Sequence, residues 1–371
     1  MPLKHLLVAV LFLFASTTGL TQSNDELVDQ FQRAFDDVLL DKGIPGGAYA
    51  IVSGDGIIEI GTRGFTSINQ KQAVNANTIF RIASVSKTFA AHLAGQLVEE
   101  GKFYWEDPIT RHVPDFRING DTSQIQVGHV IGQSTGLVPH AYDQLIEEDL
   151  SLDRIYKKFR NLSPICNPGE CYSYQNTIYS LIQPVIENAT GRPYADLMQQ
   201  RIFKPLSMTT ASVGYQPYLD NPNRAEPHKL QNGHWRSLTV TPNYYRIAPA
   251  AGVNASVTDM ARWLMAQLGS NPEVIKPQTI DTLTQQRVRT KREFGRRYWR
   301  DYISDAHYGL GWRIYTLGEE KIIYHSGWVA GFRADIGYSA DRNIGLVILL
   351  NGEGSSISRL STEFWGLVFN S

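Results

Sequence analysis

The sequence predicts an α+β fold: an antiparallel sheet built from both termini and flanked by helices, with a mostly helical region inserted between its two halves. Three observations carry this expectation. Strand-like runs lie at 48–52 and 57–62, on either side of Gly54-Asp55-Gly56, and return only after about residue 309, at 311–315, 321–324, 334–338 and 344–350. From about 105 to 250 the chain turns richer in Pro, Asn and Tyr, with shorter helical patterns such as 177–190 and 258–268. Helical periodicity stands at both ends, in Leu27, Phe31, Phe35 and Leu39 and again in Ile357, Leu360, Phe364 and Leu367.

Length and composition set the frame. A chain of 371 residues can bury a large core, in one large domain or two. With 42% hydrophobic and 19% charged residues it reads as globular, and its net charge of −1 gives no reason to expect nucleic acid or another polyanion as partner. Residues 1–23 read as a secretory signal: Lys4 and His5 form a basic start, 6–15 is an unbroken apolar run, and 16–19 are small. Cleavage is expected near Gly19, with an uncleaved anchor as the alternative. No later apolar stretch has membrane length, so no stable span is expected after cleavage. The protein is therefore expected in the periplasm or outside the cell, as one unit over 24–371: a sheet region of about 24–104 and 305–371 around a helical region of about 105–304.

The first helix-then-strand passage follows this scheme. Residues 24–42 form an amphipathic pattern that Pro45-Gly46-Gly47 ends, and the paired strands follow. The next helix carries chemistry. Ser84-Val85-Ser86-Lys87 opens a helical pattern with Phe89, Leu93, Leu97 and Val98, and Gly101 is a stop signal. Residues three apart share a helix face, which sets Lys87 one turn above Ser84. A serine hydroxyl is a weak nucleophile until a base takes its proton. Lysine can be that base only when burial brings its pKa well below about 10.4. The positive end of the helix pushes the same way. A pattern as short as S-x-x-K recurs by chance about once in a chain of ordinary composition and this length, so it gains weight only from partners.

Candidate partners lie far along the chain. Tyr174-Gln175-Asn176 stands just before a helical pattern; a phenol beside a lysine can stay partly ionised or pass a proton, and the Asn amide can orient Lys87 or a substrate amide. His325-Ser326-Gly327 follows a strand-like run and precedes Trp328-Val329-Ala330-Gly331-Phe332. An edge strand there could offer a backbone N–H to an oxyanion, with glycine permitting close approach. The tripeptide pattern also occurs at His307-Tyr308-Gly309, but the strand before and the turn after favour the later copy.

Other signals carry less chemistry. Gly132-Gln133-Ser134-Thr135-Gly136 fits a nucleophile elbow, with 124–131 as its strand, but Pro139 falls inside the helix the elbow needs, so Ser134 is expected to be a turn residue. The basic stretch 287–300 is expected to be a solvated loop beside the site. N-x-S/T at Asn161, Asn188 and Asn254 matters only in a eukaryotic secretory host. The only cysteines, Cys166 and Cys171, flank Asn-Pro-Gly-Glu and are expected to pair outside the cytoplasm; with no histidine nearby, a metal site is not expected.

The order S-x-x-K, Y-x-N, H-x-G resembles that of the class C β-lactamase and penicillin-binding protein superfamily. The likeness runs from about Asp25 to the C-terminus. Phe80-Arg81-Ile82-Ala83, Tyr172-Ser173, Ala251-Gly252-Val253, Asp259-Met260-Ala261-Arg262-Trp263, Tyr308-Gly309-Leu310-Gly311-Trp312 and Gly331-Phe332 also fit, and Gln133-Ser134-Thr135-Gly136-Leu137 resembles the H-T-S-G-L segment with glutamine where histidine is common. The resemblance implies a β-lactamase/transpeptidase-like fold and no metal or cofactor. It implies acylation of Ser84, base work shared by Lys87 and Tyr174, a substrate amide held by Asn176, an edge strand at His325, Ser326 and Gly327, and an oxyanion hole from the backbone N–H groups of Ser84 and Trp328. Class C β-lactamases carry K-T-G where this chain has His325; H-x-G occurs in D-amino-acid peptidases and esterases of the family. Imidazole is mostly neutral at pH 7, with a reference pKa of about 6.5; Arg333 could supply the missing cation to a substrate carboxylate if it points into the cleft, and a surface or structural arginine is the reading its usual exposure favours. The function expected is an exported serine hydrolase working through an acyl-enzyme on D-alanyl peptides or amides, or on β-lactams. A carboxylesterase, or a penicillin-binding sensor with little turnover, is the alternative. A small molecule or peptidoglycan-type substrate is the expected partner.

Overall fold

The computed structural model describes residues 24–370; the secretory segment expected over 1–23 lies outside them. Helix α1 (Asn24–Lys42) leads into strands β1 (Gly46–Ser53) and β2 (Gly56–Gly64). Helix α2 (Ser86–Glu99) follows, and α3 (Val257–Gln267) lies late in the helical region, before a last short helix at Pro277–Leu283. Then come β3 (Val288–Arg289), β4 (Asp305–Tyr308), β5 (Arg313–Leu317), β6 (Glu320–Val329), β7 (Phe332–Ser339), β8 (Ile344–Leu350) and the terminal helix α4 (Ser356–Phe369). These strands form one eight-stranded sheet in the order β2-β1-β8-β7-β6-β5-β4-β3, antiparallel throughout. N- and C-terminal strands meet where Tyr49 faces Ile348.

Period-two alternation divides the sheet between two cores. Ala48, Ala50, Val52, Val347 and Leu349 face the helical region with α2 and α3, while Tyr49, Ile51, Leu346, Ile348 and Leu350 face α1 and α4. β8 is buried on both faces, which is why its sequence is an unbroken apolar run. Each such side chain contributes about 1.5–3 kcal/mol on burial. α1 closes one side with Phe31 edge-on to Tyr49 and to Phe364 of α4.

Two expectations are corrected. Strands resume before residue 309, because β3 and β4 lengthen the sheet beyond β5; a two-residue strand is too short to show an alternation. The strand expected over 124–131 is a helix, Val127–Ile131, preceded by a short turn at Thr122–Gln124. There Val127, Val130 and Ile131 are buried on one face, and the Gln126 N–H donates to His129 Nδ1 at 3.2 Å, closing a capping box.

Candidate active site

Ser84 sits in a tight turn, Ala83–Val85, between the strand Ile79–Arg81 and α2. The turn is sharp: Ala83 adopts φ +50°, a left-handed conformation costly for a residue with a Cβ. It is pinned by Ile79 and Arg81 pairing with Ser256 and Asn254, and by the Val253 N–H donating to Ser86 Oγ at 3.0 Å. Lys87 follows in the first turn of α2, fully buried. Its Nζ lies 3.4 Å from Ser84 Oγ, 2.7 Å from Asn176 Oδ1 and 3.2 Å from the Ala250 carbonyl.

Tyr174 and Asn176 reach the same amine because the residue between them is clamped. Gln175 donates its N–H to Gln133 Oε1 at 2.6 Å and accepts Gln133 Nε2 on its carbonyl at 2.9 Å. The flanking side chains then turn to Lys87: its Nζ stands 4.8 Å from the centre of the Tyr174 ring. A disulfide joins Cys166 to Cys171 just before this segment, and Gly169 N–H donates to the Ser134 carbonyl at 2.7 Å. Ser134 is thus a buried turn residue that ties the disulfide loop to the clamp. A helix precedes it, not the strand an elbow requires.

The third wall is β6. β5 covers only its first half, from Glu320 to Tyr324, so the edge from His325 onward is open toward Ser84. Gly327 stands against the Ser84 turn: a Cβ there would lie 2.2 Å from the Ile82 carbonyl oxygen. Only glycine lets the strand approach this closely. Ser326, Gly327, Trp328 and Arg333 line one cleft with Ser84, Tyr174 and Asn176, a space of about 880 Å³. Trp328 is 59% exposed, and the Arg333 guanidinium stacks 4.7 Å above its ring. His325 is fully buried behind the edge.

Sequence reasoning missed Arg313. It is buried, lines the cleft, reaches within 3.3 Å of His325 Nε2 and lies 5.3 Å from the Tyr174 ring centre. It stands at the start of β5, one residue past the Tyr308–Trp312 segment, and its approach to His325 follows from the β5–β6 register, which periodicity does not reveal. The basic stretch is corrected as well. Within it, Glu293 is buried and pairs with Arg296 at 3.1 Å and Arg313 at 3.4 Å, and Arg292 and Arg296 line the cleft. It lies beside the site as expected, with Arg287, Arg289, Lys291, Arg297 and Arg300 exposed, but its middle is a wall of the cleft and not only a solvated loop.

The electrostatics follow from burial and these neighbours. Burial lowers the Lys87 ammonium from its ordinary value, against the pull of Tyr174. Burial pushes the Tyr174 phenol up, but Lys87, Arg313 and hydrogen bonds to Lys87 and Ser84 outweigh it and hold it below 10. Both groups are shifted down and each acts on the other's titration, so they form one coupled acid–base pair. Burial, then Arg313 and Lys87, hold His325 well below 6.5 and neutral. Among the described residues no cluster of three or more His, Cys, Asp or Glu could hold a metal ion, and no helix is long and apolar enough to cross a membrane.

A serine beside a buried lysine and a phenol of lowered pKa, at the mouth of an open sheet edge, defines a serine hydrolase of the β-lactamase-like class. A family model described as Beta-lactamase matches residues 25–363, and the chain belongs to that family. It is 25% identical over 360 residues to a protein named Beta-lactamase from Escherichia coli (strain K12), covering 88% of this chain and 89% of that one. It is also 25% identical over 347 residues to Protein flp of Staphylococcus aureus (strain COL), covering 90% of this chain but only 66% of that one. The fold matches the octameric penicillin-binding protein homologue from Pyrococcus abyssi with a TM-score of 0.81 at 22% identity, over 93% of this chain and 78% of that one.

Proposed function

We propose that the protein is an exported hydrolase that acylates on Ser84, taking D-alanyl peptides or amides, or β-lactams as their acylating mimics. The observation that carries this reading is the convergence of Lys87 on Ser84 Oγ at 3.4 Å, in a cleft that also presents Arg313 and Arg333. In this reading Ser84 Oγ attacks the substrate carbonyl carbon and its proton passes to the Lys87–Tyr174 pair. The carbonyl oxygen takes the negative charge and is met by the backbone N–H groups of Ser84 and Trp328. As the C–N bond breaks, the pair returns a proton to the leaving nitrogen, and the acyl group stays on Ser84 as an ester. Water then attacks the ester carbon and gives up a proton to the same pair; the bond from that carbon to Ser84 Oγ breaks, the pair returns the proton to Ser84 Oγ, and the acid is released. In this reading the guanidiniums of Arg313 and Arg333, which line the cleft, take the part of the K-T-G lysine in meeting the substrate carboxylate. The disulfide between Cys166 and Cys171 supports export.

Intact-mass spectrometry with benzylpenicillin tests this. The expected result is an adduct on the native protein and on Ser134→Ala, and none on Ser84→Ala. An adduct that persists marks a peptidase or sensor, and one lost rapidly marks a lactamase. No adduct on the native protein overturns the proposal in favour of a carboxylesterase.

A further inference from the structure

The lysine-bound amide of Asn176 is itself held, and by a residue no motif names. Asn176 Nδ2 donates to Asp143 Oδ2 at 2.8 Å, while Asn176 Oδ1 accepts from Lys87 at 2.7 Å. Asp143 is 7% exposed and lies in the short helix Asp143–Glu147, in the wall of the cleft. Its own place is fixed from three sides. His140 Nδ1 lies 3.0 Å from Oδ2, and the Thr177 hydroxyl and N–H donate to Oδ1 at 3.2 and 3.4 Å. The His140 N–H in turn donates to the Tyr174 carbonyl at 2.8 Å, so the segment carrying Asp143 is tied to the segment carrying Tyr174.

An asparagine amide has two nearly isosteric orientations, and its neighbours decide which is adopted. Here both neighbours vote the same way. Lysine nitrogen offers protons, so it selects the amide oxygen. An ionised carboxylate only accepts, so it selects the amide nitrogen. A turned-over amide would set its oxygen against the Asp143 carboxylate, losing that bond and adding a repulsion, and would give up the bond from Lys87 to the amide oxygen. Asn176 also keeps one N–H free of Asp143, and the residue lines the cleft. We infer that Asp143 is a positioning residue: it fixes the Asn176 amide, and through it the Lys87 amine, for attack by Ser84. This rests on the proposed use of Ser84 as nucleophile. It does not depend on which acyl group is transferred.

The test reads Ser84 reactivity with two probes, benzylpenicillin and an alkyl fluorophosphonate, which labels activated serines whatever their natural substrate. Asp143→Leu keeps the branched shape, with a somewhat larger side chain, and removes the acceptor; Asp143→Ala serves in its place if thermal melting shows that the leucine variant does not fold. The acceptor-free variant is expected to slow labelling about 10- to 100-fold, the scale of a displaced catalytic group. Asp143→Asn keeps an acceptor oxygen and is expected to stay within about fivefold of native. The decisive comparison is with Asn176→Ala. If Asp143 acts through Asn176, removing both slows labelling no more than removing Asn176 alone; a residue that only supports the fold would add its own loss. Native-like labelling of the acceptor-free variant, additive losses, or an Asp143→Asn variant as slow as the acceptor-free one overturns the inference. If the native protein takes the fluorophosphonate but not penicillin, the substrate reading falls and the fluorophosphonate rates still decide for or against Asp143. If it takes neither, Ser84 is not activated and both readings fall.

Discussion

Arg313 Nη1 lies 3.3 Å from Nε2 of His325. A guanidinium has no lone pair to offer, so the ring nitrogen accepts. The other ring nitrogen, Nδ1, lies 2.9 Å from the Ser326 carbonyl and must carry the proton. The histidine of H-x-G is thereby fixed as one neutral tautomer, with Tyr308 OH 3.2 Å from the same Nε2. Its position does not supply the positive charge that the lysine of a K-T-G motif would supply. The charge beside it belongs to Arg313.

If Arg313 meets the substrate carboxylate, its loss will discriminate between substrates. Arg313→Met keeps the length and removes the charge, leaving Glu293 paired with Arg296. Expected is a rise of about 10- to 100-fold in KM for D-alanyl peptides with a free carboxylate, against less than about threefold for an amidated peptide. Steady-state kinetics on the two substrates check this, and equal effects on both would remove Arg313 from carboxylate binding.

The same arginine sets a pH dependence. The Lys87–Tyr174 pair must be able to take a proton, so kcat/KM should rise with pH. Because burial lowers Lys87 and its cationic neighbours hold Tyr174 below 10, the rise should finish below the pH of free lysine or tyrosine titration. Arg313 favours loss of a proton from both groups, disfavouring the ammonium and stabilising the phenolate. Arg313→Met should move the rising limb to higher pH. His325 should contribute no limb near its reference value of 6.5, being held well below it. A pH–rate profile of both proteins against an ester substrate, whose binding does not need the carboxylate, separates this from the previous effect.

Much of this was legible beforehand, for physical reasons. The sheet halves announced themselves because β1 and β8 bury both faces, and α1 and α4 because one face of each packs on the sheet. Ser84 and Lys87 were legible because their relation is local, three residues on a helix. Arg313, Glu293 and Asp143 were not. Each acts through a partner 12 to 33 residues away, His325, Arg313 and Asn176 respectively, across a register or turn that carries no periodic signal. The basic stretch misled for the same reason: its charge is plain in the sequence, while the buried Glu293 that organises it looks like any surface glutamate.

Glu293 should make stability sensitive to acid. Burial alone would raise its carboxyl, but Arg313, Arg296 and the Tyr315 hydroxyl bring it down to about 2. A depressed folded-state pKa contributes stability that is complete above the unfolded value, near 4.5, and is lost as pH falls toward 2. The contribution is on the order of 3 kcal/mol. Urea unfolding of the native protein should therefore weaken between about pH 5 and pH 2 more steeply than that of Glu293→Gln, which has no proton to gain there. Parallel curves would show that the pairing is not what holds this wall.

The last prediction concerns the distance between the edge strand and the nucleophile. A methyl group on Gly327 would meet the Ile82 carbonyl oxygen at 2.2 Å and the Ala83 Cβ at 3.2 Å. The first is backbone and cannot swing away, so either β6 or the Ser84 turn must shift. Overpacking of this kind costs about 1–3 kcal/mol, and the shift falls on the two backbone segments proposed to hold the oxyanion. Gly327→Ala is expected to lose at least about 100-fold in acylation rate while lowering the melting temperature by only a few degrees. Gly56→Ala, at a turn with open space where the Cβ would stand, is the control and should change stability by less than about 0.5 kcal/mol. A Gly327→Ala protein that acylates at the native rate would show that β6 need not lie this close to Ser84, and the oxyanion site would have to be sought elsewhere in the cleft.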